Sequence, residues 1–227
     1  MFQNQDYILI NKPPFLSTLE DRNDPANVLK LALEIEPNAQ VCHRLDKDTS
    51  GVLAIARHAE AYRHLSIQFE QRQVKKIYHA VADGLHDFKD QEVDRPILKL
   101  SDGSVRLDKA GKNAQTTFTT LKTFKNHSLI QCLPLTGRMH QIRIHLASLK
   151  ASITGDPLYG GNPFYLSSIK RGFNLKKDAE EEPFMKRMAL HAHSLTFLGV
   201  NNENIEVVAP YPKDLAALLR QLSQNLR

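Results

Sequence analysis

The chain has 227 residues and a formal net charge of +5, with 30 lysines and arginines against 25 aspartates and glutamates. This excess permits a polyanionic partner without requiring one, and the length suffices for a well-buried core. Two cysteines are too few for a disulfide framework or a thiolate metal site, which favours a reducing, intracellular setting. The first residues lack the pattern of a signal peptide, and no apolar run reaches transmembrane length. We therefore expect a soluble cytoplasmic protein.

The first third of the chain is predicted to alternate short strands with helices. A buried strand over 7–10 precedes a helix with Asp24 as its N-cap and Pro25 at its first position. A further helix is predicted over 59–72, and a strand over 75–82. The apolar face of the first helix comprises Val28, Leu31, Ala32 and Ile35.

The rest of the chain starts with a polar, turn-rich connection from 86 to 113, and such long connections are more often functional than idle. Residues 162–187 lack periodicity and are predicted to form an exposed surface insertion. One α+β domain over 1–227, rich in antiparallel strands, is the economical interpretation. The other predicted elements are a hairpin (114–121 and 128–133), a helix (138–149), two strands (194–197 and 205–209) and a C-terminal leucine-rich helix.

The stretch from His43 to Gly51, His-Arg-Leu-Asp-Lys-Asp-Thr-Ser-Gly, is dense in ionisable groups and runs into the apolar sequence Val-Leu-Ala-Ile-Ala. This pattern predicts a polar loop whose exit is fixed by a buried strand, with Gly51 suited to a positive φ. In a cleft, such a loop could hold one carboxylate ionised and oriented by a guanidinium. A solvated turn explains the pattern alone equally well.

A second stretch, residues 135–145, places Arg143 at the border of an apolar helix face. A guanidinium there needs an anionic partner, although a surface arginine with an extended side chain is the default interpretation. Pairing with Asp46 would satisfy both groups and keep Asp46 ionised as a nucleophile or base. Tyr78, in Lys-Lys-Ile-Tyr, is either a packing residue or a stacking platform beside a phosphate-binding patch.

Four histidines allow a metal site to be tested: His140, His145, His191 and His193. On a helix, His140 and His145 are separated by roughly 140°, a poor chelating geometry, whereas His191 and His193 share one face of a strand. No carboxylate flanks either pair closely, so structural or RNA-contacting histidines are favoured. The sequence also lacks a Gly-rich phosphate loop, a dinucleotide fingerprint and a zinc-protease helix.

Together these stretches resemble the RluA family of pseudouridine synthases, with the motifs in the family's order. One departure is Pro14-Phe15, where the family commonly has a small residue and glycine. Family members often carry an S4 RNA-binding domain, and because the first motif here begins at Tyr7, a stand-alone catalytic domain is expected. The matching segments are 7–13, 43–51, 75–78, 111–116, 136–145, 155–161 and 190–195.

The resemblance implies the pseudouridine synthase fold, a mixed, mainly antiparallel bent sheet flanked by helices, with the catalytic cleft across the sheet. It also implies a reaction, the isomerisation of specific uridines to pseudouridine in a tRNA or rRNA stem-loop, with base flipping and without a cofactor or catalytic metal. RNA is then the expected partner, without DNA or membrane, and the chain is expected to act as a monomer.

The resemblance further assigns roles to individual residues. Asp46 matches the family's essential aspartate, Tyr78 the tyrosine that stacks on the target base, and Arg143 the arginine paired with the aspartate. Arg44 matches the arginine that enters the RNA, and Ile142 an apolar residue against the base. Additional RNA contacts are expected from Lys75, Lys76, Arg138, His140, Gln141 and the basic residues of 99–112.

Two other functions remain open on the sequence. One is a catalytically silent RNA-binding protein on the same scaffold, although an intact set of Asp46, Tyr78 and Arg143 argues against it. The other is a metal-dependent hydrolase that uses the four histidines.

Overall fold

The computed structural model describes residues 1–20, 26–170, 172–174 and 180–225, and these form the mixture of sheets and helices that an α+β fold predicts. The strands are β1 (Phe2–Gln3), β2 (Tyr7–Lys12), β3 (Gln40–Val41), β4 (Ser50–Ala56), β5 (Lys75–Asp83), β6 (Gln91–Asp94), β7 (Ile97–Lys99), β8 (Val105–Leu107), β9 (Gln115–Thr123), β10 (His127–Pro134), β11 (Leu190–Leu198) and β12 (Asn204–Val208). The helices are α1 (Val28–Ile35), α2 (Ala59–Glu70), α3 (Gln141–Ser148) and α4 (Lys213–Gln224). None of these helices is long and apolar enough to cross a membrane.

Packing divides the chain into two compact units. The first comprises Met1–Tyr78 and His191–Tyr211, and the second His79–Leu190 and Pro212–Arg227. In the first unit, strands are ordered β1-β2-β4-β11, with β3 paired to β4 and β12 to β11. β2 and β4 are antiparallel, whereas β4 and β11 are parallel, so the sheet is mixed as predicted.

Strand β4 carries the core of the first unit because both of its faces are buried. Its alternate residues belong to two apolar clusters, as the two-residue period of a strand requires. The cluster with Val52 packs against α2, and the cluster with Leu53 packs against α1. Leu45 and Tyr78 belong to the α1 cluster, so this face of the sheet supports the start of the polar loop.

Helix α1 differs from its prediction. It begins at Val28 with Asn27 as its N-cap, whose side chain accepts from the Lys30 N–H. The predicted start at Asp24-Pro25 lies outside the described residues. Within the predicted apolar face Val28 and Ala32 are buried, but Leu31 and Ile35 are 46% and 81% exposed.

In the second unit, the strands are ordered β5-β10-β9-β6, and β9 and β10 form the predicted hairpin. The polar, turn-rich connection predicted over 86–113 contains three short strands, β6, β7 and β8, which the sequence did not indicate. These strands have only three or four residues each, too few to show a two-residue alternation against a polar background.

Two further differences concern the second unit. Helix α3 begins at Gln141, three residues after its predicted start, because His140 has a left-handed backbone (φ 54°) that cannot continue a helix. The described part of 162–187 is not wholly exposed, since Phe164, Ile169 and Met185 are buried.

Candidate active site

The backbone of the polar loop is clamped immediately before Asp46. Thr18 Oγ1 donates to the Leu45 carbonyl oxygen over 2.9 Å, and the Leu45 N–H donates back to Thr18 Oγ1 over 3.1 Å. Thr18 and Leu45 are both buried, so water does not compete for these bonds. This reciprocal pair fixes the peptide that leads into Asp46.

A second clamp acts immediately after Asp46. Lys12 is fully buried (0% exposed), and its Nζ donates to the carbonyl oxygens of Pro13, Leu16 and Lys47 at 3.0, 2.8 and 3.0 Å. An ammonium carries three donor protons, so three carbonyl oxygens can use all of them. Lys12 thus ties the segment that follows β2 to the residue that follows Asp46.

Phe15 completes this second clamp, with its N–H donating to the Lys47 carbonyl oxygen over 2.9 Å. Its φ of 67° lies in the left-handed region, which costs a residue with a β-carbon about 1–2 kcal/mol. Phe15 occupies the place where the RluA family commonly has glycine. The chain therefore keeps the backbone shape of a glycine with a different side chain.

The exit of the loop is fixed by β11. His191 Nε2 donates to the Ala209 carbonyl oxygen (3.1 Å), which leaves Nδ1 to accept from Ser50 Oγ (2.9 Å). Gly51 has the positive φ that its sequence context predicts, at 121°. A β-carbon at this glycine would lie 2.1 Å from the Ala192 carbonyl oxygen, so no other residue fits without displacing β11.

His43, which had no firm role in the sequence, supports the same loop. Its Nε2 accepts the Ala54 N–H over 3.0 Å, and its ring contacts Phe69. Burial, together with the nearby Lys76 ammonium, lowers the pKa of His43 to about 3, so the ring is neutral at physiological pH. Burial also lowers the pKa of Lys76 to about 8.

The predicted site residues of the first unit are Asp46, Tyr78, Arg44, Lys75 and Lys76. Asp46 is half-buried, and its carbonyl oxygen accepts the Thr49 N–H in a tight turn. Tyr78 is half-buried against the cluster that contains Leu45. Arg44 and Lys75 are exposed and Lys76 is half-buried, and their contacts with RNA stay predictions.

In the second unit, Gln141 organises the turn before α3. Its Oε1 accepts from Thr136 Oγ1 and from the Arg138 N–H, and its Nε2 donates to the Gln115 carbonyl oxygen and to Thr116 Oγ1, all at 2.8–2.9 Å. With four internal bonds and a buried side chain, Gln141 holds the turn in shape. Its predicted contact with RNA stays a prediction.

Arg143 forms a bidentate ion pair with Asp156, which the sequence analysis did not anticipate. Arg143 Nε lies 2.6 Å from Asp156 Oδ2, and Nη2 lies 2.8 Å from Oδ1. The guanidinium carbon is 5.0 Å from the centre of the Tyr159 ring, whose hydroxyl is 2.9 Å from His140 Nδ1. Asp156 is only 1% exposed, so it fixes the guanidinium plane firmly. The pairing of Arg143 with Asp46 stays a prediction.

Among the remaining predicted RNA contacts of this unit, the basic residues of 99–112 are exposed, whereas Arg138, His140 and Ile142 are partly or fully buried. Arg138 is half-buried and donates from Nε to the Asn113 carbonyl oxygen. His140 is half-buried as well, and Ile142 is buried within α3.

The histidines of the described chain do not assemble a metal site. No group of three or more His, Cys, Asp or Glu side chains that could hold a metal ion occurs among the described residues. His145 accepts from Thr116 Oγ1 at Nδ1 and donates from Nε2 to the Arg95 carbonyl oxygen, and burial lowers its pKa. Like His191, it makes hydrogen bonds within the fold through both ring nitrogens.

Sequence reasoning missed the residues that position others: Lys12, Thr18, Asp156 and Tyr159. Lys12, Asp156 and Tyr159 lie within segments that match the family, so a signal existed without a role attached to it. Thr18 carries no such signal, because its reciprocal bond depends on a long-range approach of two loops.

Known proteins are similar to this chain in sequence and in fold. A family model described as RNA pseudouridylate synthase matches residues 6–148. The ribosomal large subunit pseudouridine synthase D of Xanthomonas campestris is 36% identical over 236 residues, which cover 99% of this chain and 69% of that protein. An uncharacterized RNA pseudouridine synthase of Zymomonas mobilis is 34% identical, with coverage of 94% and 93%.

Solved structures share the fold. Human RNA Pseudouridylate Synthase Domain Containing 1 superposes with a TM-score of 0.71 at 26% identity, covering all of this chain and 93% of the other. Human RNA Pseudouridylate Synthase Domain Containing 4 gives a TM-score of 0.72 at 23% identity, with coverage of 98% and 92%. The family model covers more than half of the sequence and the relatives nearly all of it, which confirms the resemblance seen in the motifs. The chain therefore belongs to the RNA pseudouridylate synthase family and is an isomerase of that class.

Proposed function

We propose that this enzyme converts specific uridines of ribosomal RNA to pseudouridine and that Asp46 carries the chemistry. The observation that carries the assignment of Asp46 is the double clamp around it. The peptide before Asp46 is held by Thr18 and the peptide after it by Lys12 and Phe15. A loop fixed on both sides of one carboxylate is a pre-organised catalytic group, whereas a solvated turn needs no such support.

The reaction requires that the target nucleotide leave its stack, because stacking hides C1′ and the reactive face of the base. The bond between C1′ and N1 breaks, the uracil turns while bound, and C5 forms a new bond to C1′. The C5 proton leaves to solvent and N1 gains a proton, so all heavy atoms of the product come from the substrate. No oxidant, reductant or group carrier takes part in this route.

We assign the other roles by the family resemblance. Tyr78 stacks on the target base and recovers part of the stacking energy, about 1–3 kcal/mol per base. Arg143 pairs with Asp46 and keeps its carboxylate ionised, and its own orientation is supported by Asp156. Arg44 enters the RNA in place of the flipped uridine, for which its exposed position is suitable.

The phosphate contacts are assigned to cations near these residues. Lys75, Lys76 and Arg138 hold the backbone, and such contacts position RNA without reading its sequence. His140, Gln141 and Ile142 are proposed to line the RNA-binding surface. For Gln141 this contact is through the turn that it shapes, since its side chain is buried, and Ile142 is proposed to lie against the target base.

The choice of ribosomal RNA rests on the relatives. Several that align with nearly the whole chain are named ribosomal large subunit pseudouridine synthases D or C. A tRNA stem-loop, the other substrate class that the motifs allow, is an outcome of the test below. We propose action in the cytoplasm as a monomer, without DNA or membrane as a partner.

Release of tritium from RNA labelled at uridine C5 tests the activity. The wild-type protein should release tritium from total cellular RNA, with or without chelator, and Asp46→Asn should release none while its RNA affinity stays within about tenfold. Binding without any release by the wild type would favour the silent RNA-binding protein. Chelator-sensitive release would favour metal chemistry.

Mapping pseudouridines by carbodiimide-dependent reverse-transcription stops tests the substrate. RNA from wild-type and deletion strains is compared, and a stop lost from large-subunit ribosomal RNA supports the proposal. A stop lost only from tRNA would replace ribosomal RNA by tRNA as the substrate.

A further inference from the structure

Phe15, which is hydrogen-bonded to the Asp46 loop, has an aromatic side chain on a strained backbone. Phe15 is 50% exposed and has a φ of 67°. A bulky residue in the left-handed region is an outlier, and backbone outliers of this kind cluster at functional sites. Glycine would supply the same backbone without strain, so burial does not explain why a half-exposed phenylalanine stands here.

The surroundings hold this conformation from several sides. Lys12 Nζ donates to the carbonyl oxygens of Pro13 and Leu16, one on each side of Phe15. The Phe15 N–H donates to Lys47, the residue directly after Asp46. The backbone beneath the ring is therefore rigid, and a rigid group loses little conformational entropy when a partner binds to it.

We propose that Phe15 is a stacking platform for a nucleobase of the RNA substrate, next to the uridine that is isomerised. The proposal rests on the proposed function of Asp46. Phe15 is hydrogen-bonded to Lys47, the residue after Asp46, and for that reason the stacked base is placed next to the uridine on which Asp46 acts. Lys47, directly after Asp46, is exposed and attracts a phosphate beside such a base. Unstacked bases of RNA are bound by aromatic faces of this kind.

Fluorescence tests the contact without relying on turnover. The chain contains no tryptophan, so Phe15→Trp introduces a single reporter. In the Asp46→Asn background, we expect a large-subunit ribosomal RNA transcript to quench this tryptophan strongly and in a saturable manner. Leu19→Trp, at an exposed residue of the same segment, is the matched control and should be quenched much less. Equal quenching at both positions, or none at position 15, would overturn the proposal.

Kinetics provide the second readout. Phe15→Leu keeps an apolar side chain at the same positive φ but lacks an aromatic ring. KM for the RNA should therefore rise about tenfold, while kcat changes less than about twofold. Phe15→Tyr retains the ring and should behave as the wild type. A Phe15→Leu enzyme with an unchanged KM contradicts stacking.

The two proposals can fail separately. If the wild-type protein releases no tritium from any RNA, the proposed function fails, and the tryptophan experiment still reports whether a base contacts position 15. If the wild type is active but neither quenching nor KM responds at position 15, stacking by Phe15 fails alone. Phe15→Gly should melt within about 3 °C of the wild type, because relief of strain offsets the lost ring contact.

Discussion

Thr18 and Leu45 exchange two hydrogen bonds, of 2.9 and 3.1 Å, between one side-chain hydroxyl and both polar groups of one peptide residue. The two residues are 27 positions apart in the chain, and the contact ends one residue before Asp46. A single hydroxyl therefore fixes both the N–H and the carbonyl group of Leu45, the residue directly before the proposed catalytic Asp46.

Thr18→Val should separate positioning from folding. Valine has nearly the same shape but leaves the Leu45 N–H and carbonyl unsatisfied, which should lower stability by about 1–3 kcal/mol. We expect kcat to fall about tenfold or more, while KM for RNA stays within about twofold, because a small misplacement affects the chemical step most. Thr18→Ser retains the hydroxyl and should restore kcat. Equal losses for valine and serine would show that the hydroxyl does not position the loop.

Gly51→Ala should strongly destabilise the first unit. Its β-carbon would lie 2.1 Å from the Ala192 carbonyl oxygen, and its φ of 121° is unfavourable for alanine. The two effects together should cost about 3 kcal/mol or more, seen as a fall in Tm of about 10 °C. Gly103→Ala is the matched control, because Gly103 also has a positive φ but open space around it. A similar Tm for both variants would show that the backbone of β11 can move away from an added β-carbon at little cost in stability.

The elements that could be predicted from the sequence are those whose periodicity matches their burial. The β9–β10 hairpin and the apolar strand β4 are long enough to show it. Strands β6, β7 and β8 have too few residues for a period to appear. In α1 the apolar pattern is wider than the buried face, since Leu31 and Ile35 are exposed. A sequence indicates which residues share one face of a helix, but it does not indicate how much of that face the sheet covers.

The candidate site could be predicted only in its chemically distinctive residues. The family resemblance assigns roles to Asp46, Tyr78 and Arg143, whereas it attaches no role to the residues that orient them. Asp156 is 13 residues from Arg143, in a loop whose glycines and proline indicate a turn but give no direction for the carboxylate. The role of an orienting residue such as Asp156 can be recognised only from the contacts that it makes in the folded structure.

His43 should make the folded protein sensitive to acid. Its pKa is about 3 in the folded state, lowered from 6.5 by burial and by Lys76. Between pH 6.5 and pH 3, the unfolded chain binds a proton at His43 that the folded chain does not, so stability falls as pH falls through this window. The slope from one such group approaches about 1.4 kcal/mol per pH unit.

His43→Gln isolates this contribution. Glutamine can still accept the Ala54 N–H through its amide oxygen but does not titrate. Urea denaturation between pH 4 and 7 should show a shallower loss of stability for the variant than for the wild type, and the carboxylates common to both cancel in the difference. Parallel stability curves would mean that His43 is protonated in the folded protein.

Asp156→Asn should damage catalysis through Arg143. The substitution keeps the shape of the side chain but removes the charge that fixes the Arg143 guanidinium through Nε and Nη2. If Arg143 acts on Asp46 as proposed, even a displacement of about 1 Å should lower kcat about a hundredfold. In the Arg143→Gln background the same substitution should have little further effect on kcat, because the oriented group is already gone.

The chain provides a matched control for this prediction in a second bidentate pair. Arg187 donates to Asp214 over 2.7 and 3.1 Å, at the start of α4, and neither residue belongs to the proposed site. Asp214→Asn removes the charge of this bidentate partner from the Arg187 guanidinium, whose side chain is fully buried, which should cost about 3–5 kcal/mol of stability and leave kcat nearly unchanged. A loss of kcat in Asp214→Asn as large as that in Asp156→Asn would mean that both pairs act on activity only through stability. A loss confined to Asp156→Asn requires Arg143 to be oriented for the reaction, since the two substitutions remove the same kind of bond from the same unit.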